Sequence, residues 1–279
     1  VKVFASNFLV LAIGVFNGFI VPKFLGVSEY SVLKTFTLYS SYVVLLQFGF
    51  TTGLYIKYGG EKLEVISKPQ IKSEFTFLVL IMLPSTIIIL VIGIIINNLS
   101  IIGMALMAYP VNIVAFYKLF FQALGEFDRY SKINSIYPVL RLLAALILVF
   151  VLRVKDSKFF ILAEVLVSYL FMSITIYIQK NFIINVKSNK IFNSEKFGIM
   201  KVGFIIMLGS FSNMLFYSMD RWFVKVFLSS EKFAYYSFAV SMMNIVMILI
   251  TSVSMTFYPM LVRRQREELL VKKLKNYLL

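Results

Sequence analysis

The sequence predicts an all-α polytopic membrane protein with about eight transmembrane helices. Of its 279 residues, 60% are hydrophobic and 15% are charged, and the mean hydropathy is +0.87. A soluble domain averages about 45–50% apolar and about 25% charged residues. The charges are also segregated, because the 22 residues from Phe75 to Ile96 include none. About 20 apolar residues are enough to cross a hydrocarbon core of roughly 30 Å.

Eight apolar segments are predicted as spans, and none alternates with the period of two that a membrane β-barrel requires. Their bounds, in chain order, are Phe4–Val21, Thr35–Ile56, Phe75–Ile96, Leu99–Phe121, Ile133–Leu152, Phe159–Ile178, Ile199–Met219 and Phe233–Tyr258. Pro22 stops the first span, and the turn Asn97-Asn98 separates the third from the fourth. Pro110 interrupts the fourth span, where we expect a kink, because proline removes a helical hydrogen bond.

Lysines and arginines orient the spans. Seventeen of them fall in the alternate loops that include both termini, and eight fall in the opposite loops. Because cytoplasmic loops carry the excess of basic residues, both termini are predicted to be cytoplasmic. The cluster Arg153, Lys155 and Lys158 runs against this orientation. The same rule explains the net charge of +15 without a nucleic-acid partner.

Several kinds of chemistry are missing from the sequence. It has no cysteine and no histidine, which removes thiolate chemistry, the commonest general base and the commonest metal ligand. It also has no glycine-rich phosphate loop and no zinc-ligand spacing. The longest predicted cytoplasmic loops, Lys57–Glu74 and Lys180–Glu195, are too short for a catalytic domain. We therefore expect no enzyme, no cofactor and no metal.

Arg141 is the most informative polar residue. It lies about 12 Å below the predicted cytoplasmic edge of the fifth span, where an arginine costs about 2.5–3.5 kcal/mol. Asn134, Tyr137 and Arg141 share one helix face because they are three and four residues apart. One interpretation is a cationic site in a water-filled cavity that meets an anionic substrate. The other is an ion pair with Glu164 of the sixth span, although their estimated depths differ by about 10 Å.

Other polar residues in the spans have two interpretations. Lys118, near the cytoplasmic end of the fourth span, either extends its ammonium to the interface or is a weaker anion-binding candidate. Polar side chains follow helical spacing in three further spans. They are Thr37, Ser40, Gln47, Thr51 and Tyr55; then Ser210, Asn213, Tyr217 and Asp220; then Ser237, Ser241, Asn244 and Thr251. Each can join helices by hydrogen bonds, but together they favour a shared aqueous cavity.

Two further assignments concern the end of the seventh span and the tail. Trp222 is interpreted as an interfacial anchor, and Asp220 and Arg221 as a local salt bridge. The charged tail after Pro259 is either an ordinary loop before a further span or an amphipathic cytoplasmic helix.

Short motifs in the chain resemble bacterial polysaccharide flippases of the multidrug/oligosaccharidyl-lipid/polysaccharide exporter superfamily. That family's outer loop has the pattern P-x-x-L-G-x-x-x-Y-G, and residues 22–31 match it except that Ser31 replaces the last glycine. Weaker similarities complete the set, and it is their order and spacing that carry the resemblance. They are Ser6-Asn7-Phe8, Phe48-Gly49-Phe50, Phe121-Gln122-Ala123-Leu124-Gly125, Met219-Asp220-Arg221, Tyr235-Tyr236-Ser237 and Tyr258-Pro259.

The resemblance implies two six-helix lobes around a cavity that opens alternately to each side. Residues 1–180 would form the first lobe, 181–198 a basic inter-lobe loop and 199–261 two helices of the second lobe, followed by a charged cytoplasmic tail at 262–279. Because the motion needs both lobes, the chain is expected to be a fragment or a truncated product. The resemblance also implies a bacterial inner-membrane location.

The function implied is translocation of undecaprenyl-diphosphate-linked oligosaccharide for surface polysaccharide synthesis. Arg141 would bind the anion, with Lys118 as a weaker candidate. The sugar path would be lined by other polar residues, namely Asn134, Tyr137, Gln47, Asn213, Asp220 and Asn244. Two alternatives stay open: a cation-coupled drug or metabolite exporter, for which Glu164 is the nearest acidic residue, and a membrane enzyme that transfers sugars to prenyl phosphates.

Overall fold

The computed structural model describes residues 13–14, 18–182 and 186–263. Its helices are α1 (Val27–Ser40), α2 (Phe50–Lys57), α3 (Lys68–Ile95), α4 (Leu99–Ala123), α5 (Phe127–Leu146), α6 (Ser157–Ile178), α7 (Ser194–Phe227) and α8 (Ser230–Arg263). Residues 18–24 are also helical, a π-helical turn at Ile147–Val151 extends α5, and three short 3-10 segments lie at Ser41–Gln47, Leu63–Val65 and Lys180–Phe182. The described residues form no strand.

Five of these helices are long and apolar enough to cross a membrane: Lys68–Ile95, Leu99–Ala123, Phe127–Val151, Ser157–Ile178 and Ser194–Phe227. They coincide with the third to seventh predicted spans, so the all-α class and a multi-pass membrane protein are confirmed at this level. A total of eight spans is not shown. Helix α8 includes the eighth predicted span, while most of the first and the tail after residue 263 lie outside the described residues.

The second predicted span is wrong as a single helix. Helix α1 begins at Val27, eight residues before the predicted start, and the helical structure is interrupted after the 3-10 segment. Phe48 and Gly49 both adopt left-handed backbone, with φ of 51° and 78°. Hydropathy cannot detect this break because the residues on both sides are equally apolar. Gly49 is the local signal, since glycine adopts positive φ without steric cost.

Side chains fix where several helices begin. The Asn98 side chain accepts hydrogen bonds from the backbone N–H groups of Ser100 and Ile101, 3.0 and 3.2 Å away. The predicted turn at Asn97-Asn98 is thereby confirmed as the N-terminal cap of α4. At the start of α6 the cap is shared, because Glu29 of α1 accepts the backbone N–H of Ser157 at 2.7 Å. This bond ties α1 to α6.

Helix α4 lies at the centre of the bundle and packs against α1, α2, α3, α5 and α6. It remains one helix through Pro110. The largest fully buried side chains around it are aromatic, including Tyr117, Phe121 and Phe77 of α3. Aromatic side chains bury the most apolar area, so this cluster dominates the packing of the first six helices.

The bundle has two ends, defined by their loops. The basic end contains the segments 58–67, 124–126, 179–182 and 186–193. Gly60 and Phe182 of these segments both contact the end of α4, through the Gly60–Ala123 backbone bond and the Phe121–Phe182 ring contact. The opposite end contains residues 25–26, 152–156 and 228–229. A second apolar cluster holds it together: Leu25, Tyr30, Leu148, Val149, Phe160 and Ala234.

Candidate functional site

A cavity of about 500 Å³ opens in the half of the bundle nearer the opposite end. Its walls come from α1, α5, α6, α8 and the 18–24 segment. Ten polar side chains line it: Tyr30, Lys34, Thr37, Ser40, Ser41, Tyr137, Arg141, Glu164, Ser241 and Asn244. Leu33, Phe36, Leu148, Phe160 and Val167 supply apolar wall. Ligand sites of about 300–1,000 Å³ commonly combine apolar walls with a few convergent polar groups.

Arg141 lies at the cavity wall and forms an ion pair there. Its Nε donates to Glu164 Oε2 at 2.8 Å, and the hydroxyl of Tyr137 donates to Glu164 Oε1 at 2.7 Å. The Arg141 side chain is 48% exposed and that of Glu164 17%. Depths estimated from span ends argued against this pair, but they neglect the offset between neighbouring helices and the length of the arginine side chain. The predicted ion pair with Glu164 is therefore present, and Arg141 also lines a cavity, while the anionic substrate stays a prediction.

The terminal guanidinium nitrogens of Arg141 have no hydrogen-bond partner among the described residues. The ion pair uses only Nε. A guanidinium presents five N–H donors in a fixed planar fork that matches a phosphate or carboxylate. Arg141 can thus remain paired with Glu164 and still bind an anion from the cavity.

Lys34 is a second cation at this cavity, although the predicted spans place it in the loop before Thr35. Its ammonium donates to Ser241 Oγ of α8 at 2.8 Å and lies 5.1 Å from the centre of the Tyr30 ring. Helical spacing was the available signal, because Tyr30, Lys34, Thr37 and Ser41 recur at steps of four, three and four and all line the cavity. The error followed from starting the second span at Thr35.

The charges at the cavity favour an anion. Two cations, Lys34 and Arg141, face one carboxylate, Glu164. In the low dielectric of a bundle the excess positive charge acts more strongly than in water. Ser40 adds a buried hydroxyl that lines the cavity and has no hydrogen-bond partner among the residues described.

Lys118 and Asn134 bind each other outside this cavity. The Lys118 ammonium donates to Asn134 Oδ1 at 2.7 Å and lies 5.6 Å from the Tyr130 ring centre, and neither Lys118 nor Asn134 lines the cavity. Lys118 therefore connects α4 to α5. Asn134 is turned to Lys118, although it shares a helix face with Tyr137 and Arg141.

Gln47 joins local backbone and does not line the cavity. Its side chain is buried, and Oε1 accepts from the backbone N–H of Thr51 at 2.5 Å and also from the Thr51 hydroxyl. These bonds span the helix interruption at Phe48-Gly49, where backbone groups lose their helical hydrogen-bond partners. The polar stripe predicted for the second span is thus divided: Thr37 and Ser40 line the cavity, whereas Gln47 and Thr51 bind each other.

In α7 the predicted polar residues contact neighbouring helices or face outward. Asn213 is exposed and lies away from the cavity. Asp220 accepts from the Tyr236 hydroxyl of α8 at 2.6 Å and from the backbone N–H of Arg221 at 2.7 Å, so the predicted Asp220–Arg221 salt bridge is replaced by these bonds. Trp222, predicted as an interfacial anchor, donates to the Tyr42 hydroxyl at 2.7 Å and stacks on Tyr39.

Comparisons with protein-family models, curated proteins and solved structures gave no match. The resemblance to flippases therefore rests on the short motifs of the sequence.

A polar network closes the basic end. Lys57 of α2 bridges Glu74 of α3 at 3.0 Å and Glu195 of α7 at 2.7 Å. The Tyr58 hydroxyl also donates to Glu74, at 2.6 Å. Burial, with the adjacent carboxylate of Glu74, raises the pKa of Tyr58, so this hydroxyl keeps its proton at neutral pH. Lys57 therefore joins α2, α3 and α7 at the basic end. These helices would have to separate to give access to the interior from that end.

Lys196 adds a second connection at the same end. Its buried ammonium donates to Ser73 Oγ at 2.5 Å and to the backbone carbonyl of Lys190 at 2.6 Å. Helices α2 and α7 also approach closely at Gly49, Gly53 and Gly203, where the backbones are in direct contact. Helices α2, α3 and α7 are therefore joined at the basic end both by side chains and by backbone contact.

The cavity offers a guanidinium, an ammonium, one carboxylate, two phenols, one amide and several hydroxyls. Within the described ranges no group of three acidic, histidine or cysteine side chains is placed to hold a metal ion. The arrangement suits a ligand that carries an anionic group together with hydroxyls.

Proposed function

We propose that this chain belongs to a flippase that moves undecaprenyl-diphosphate-linked oligosaccharide across the bacterial inner membrane. One observation carries the proposal: Arg141 and Lys34 meet at a cavity of about 500 Å³ inside a bundle of apolar helices. An ionisable group at such a position is costly unless it serves a pathway or a partner. The motif resemblance supplies the substrate class.

Different residues of the cavity would bind different parts of the substrate. The terminal nitrogens of Arg141 and the ammonium of Lys34 would bind the diphosphate. The hydroxyls of Ser40 and Ser241 and the amide of Asn244 would hydrogen-bond sugar hydroxyls. The prenyl tail would stay in lipid, because transferring it to the polar cavity would lose its hydrophobic stabilisation.

Movement of the substrate would require the basic end to open while the opposite end closes. Lys57 would then exchange its contacts with Glu74 and Glu195 for water, and α7 would move relative to α2 and α3. Rocking of one group of helices against another around a fixed site is how many secondary transporters alternate access. The orientation proposed from the basic loops puts the basic end in the cytoplasm.

The decisive experiment is Arg141→Ala in the full-length protein, with surface polysaccharide measured in cells that need this protein to make it. We expect surface polysaccharide to fall about tenfold or more, since a charge-assisted hydrogen bond contributes about 1.5–3 kcal/mol. The matched control is Lys232→Ala, which removes a cation that is exposed at the start of α8. Undiminished polysaccharide at normal expression of Arg141→Ala would refute the role of Arg141.

Glu164 favours one alternative, a cation-coupled exporter of the same superfamily. A carboxylate at a cavity wall inside a membrane is a candidate site for proton or sodium coupling. Proton- or sodium-dependent efflux of cationic dyes by the full-length protein would support this alternative over the flippase. Loss of that efflux in Glu164→Gln, with surface polysaccharide unchanged, would decide for it.

A further inference from the structure

A second concavity, of about 420 Å³, lies on the outer surface between α3 and α7, away from the cavity described above. We call it the groove, and its lining residues are Phe48, Ile81, Phe197, Met200, Lys201 and Phe204. None of them lines the cavity of Arg141. The groove is almost wholly apolar, and its one charged lining residue is Lys201.

The shape of the groove depends on the crossing of α2 and α7. Gly49 and Gly203 are in backbone contact, which admits no side chain between them. Phe48 and Phe204, the residues next to these glycines, stand at the groove and are 37% and 40% exposed. Phe48 has a φ of 51°, which is uncommon for a residue with a side chain and is found where the surroundings hold it. The groove is thus built by the packing of the helices, not by a mobile loop.

Lys201 is exposed on the face of α7 that forms the groove. Phe197, Lys201 and Phe204 are four and three residues apart, so they lie on one side of the helix. Lys201 has no hydrogen-bond or ion-pair partner among the described residues, whereas Lys57 and Lys196 nearby are both bonded. It lies seven residues from the start of α7, which is about 10 Å along the helix axis from the basic end.

An exposed ammonium beside aromatic walls in a membrane helix suits an anion that carries apolar chains. A lysine can extend its ammonium toward the headgroup level while its stem lies on apolar surface. Basic pockets between helices on the cytoplasmic side of membrane proteins bind the headgroups of anionic lipids. A soluble anion would satisfy Lys201 but would leave the rings of Phe48, Phe197 and Phe204 uncovered.

We propose that the groove is a binding site for an anionic phospholipid, with the phosphate on Lys201 and an acyl chain against Phe48, Phe197 and Phe204. This site goes beyond the proposed transport function and does not depend on it. Because the groove spans α3 and α7, a bound lipid contacts both sides of the junction that closes the basic end.

The test uses the full chain reconstituted in vesicles of phosphatidylcholine with a trace of phosphatidylglycerol that carries a photoreactive acyl chain. Crosslinks are mapped by peptide mass spectrometry. We expect labelling at residues 197–204 and at Phe48 or Ile81. Lys201→Gln is expected to lower it about fivefold, the contribution of one lysine at an anionic surface. Lys201→Arg is expected to retain it, since the charge remains.

The matched control is Lys62→Gln, which removes an exposed lysine of the same end outside the groove and should leave labelling of the groove unchanged. The proposal is overturned if Lys62→Gln lowers labelling as much as Lys201→Gln, or if photoreactive phosphatidylcholine labels the groove equally well. Preferential displacement of the label by a prenyl diphosphate would also overturn it, by assigning the groove to the transported class of lipid. None of these results depends on polysaccharide transport.

Discussion

At the scale of single residues, Arg141 combines an ion pair with a position on the cavity wall. Its Nε donates to Glu164, and its terminal nitrogens have no hydrogen-bond partner among the described residues. The carboxylate lowers the cost of keeping the guanidinium within the bundle and fixes its direction. Tyr137 completes the arrangement by occupying the other carboxylate oxygen. Glu164 is therefore expected to matter for stability as well as for any ligand.

Glu164→Gln should destabilise the protein, because it leaves Arg141 without its counter-charge. The loss should lie between the roughly 1 kcal/mol of an exposed ion pair and the 3–5 kcal/mol lost when one partner of a buried pair is removed. Thermal unfolding of the purified protein measures it. The control is Glu64→Gln, at an exposed carboxylate in the 3-10 turn Leu63–Val65. Equal midpoints for Glu164→Gln and wild type would show that the pair contributes nothing to the fold.

At the scale of elements, the crossing of α2 and α7 depends on glycine. A Cβ at Gly203 would meet the backbone of Gly49 and Gly53, whereas a Cβ at Gly198 or Gly209 of the same helix would meet nothing within 4 Å. The three glycines of α7 therefore have opposite consequences if they are replaced. Only Gly203, at the close approach of the two backbones, has no room for a side chain.

Gly203→Ala should destabilise the protein by about 1–3 kcal/mol, the usual cost of overpacking a close contact. Gly198→Ala and Gly209→Ala should instead stabilise it by about 0.5–1 kcal/mol, because alanine is the better helix former. Thermal unfolding of the three variants under one set of conditions makes the comparison. The close crossing would be contradicted by a Gly203→Ala variant as stable as the other two.

At the scale of the whole molecule, the cavity and the closed basic end lie in different halves of the bundle. Lys57 joins α2, α3 and α7 by its two ion pairs, and Lys196 joins α7 to Ser73 of α3. Loosening this network should increase exposure of buried residues at the basic end. The sequence contains no cysteine, so an introduced thiol is the only one present and can report that exposure without background.

Lys57→Gln is expected to raise the rate at which a water-soluble maleimide labels Ser73→Cys. Ser73 is fully buried, so labelling requires opening. A loss of about 1 kcal/mol in the free energy of closing predicts about a fivefold faster rate. Lys62→Cys, at an exposed position, gives the reference rate for an accessible thiol. Identical rates for Ser73→Cys with and without Lys57→Gln would exclude Lys57 as a closing contact.

The sequence by itself determined the class of the protein and the position of five long apolar helices. Hydropathy over about 20 residues is a local property, and the cost of placing charge in lipid makes it decisive. The turn at Asn97-Asn98 was also readable, because a cap depends on neighbours within one helical turn. Arg141 could be singled out because an arginine within an apolar span is costly.

Only the tertiary structure decided which polar groups meet. Lys34 binds Ser241, 207 residues later in the chain, and no local pattern specifies that contact. The break at Gly49 belongs to a crossing with Gly203 of a distant helix. Gln47, Lys118 and Asn134 are polar residues of the kind that line a binding site. Lys118 instead binds Asn134, and Gln47 binds Thr51, because a buried polar group bonds to whichever partner the packing brings within reach.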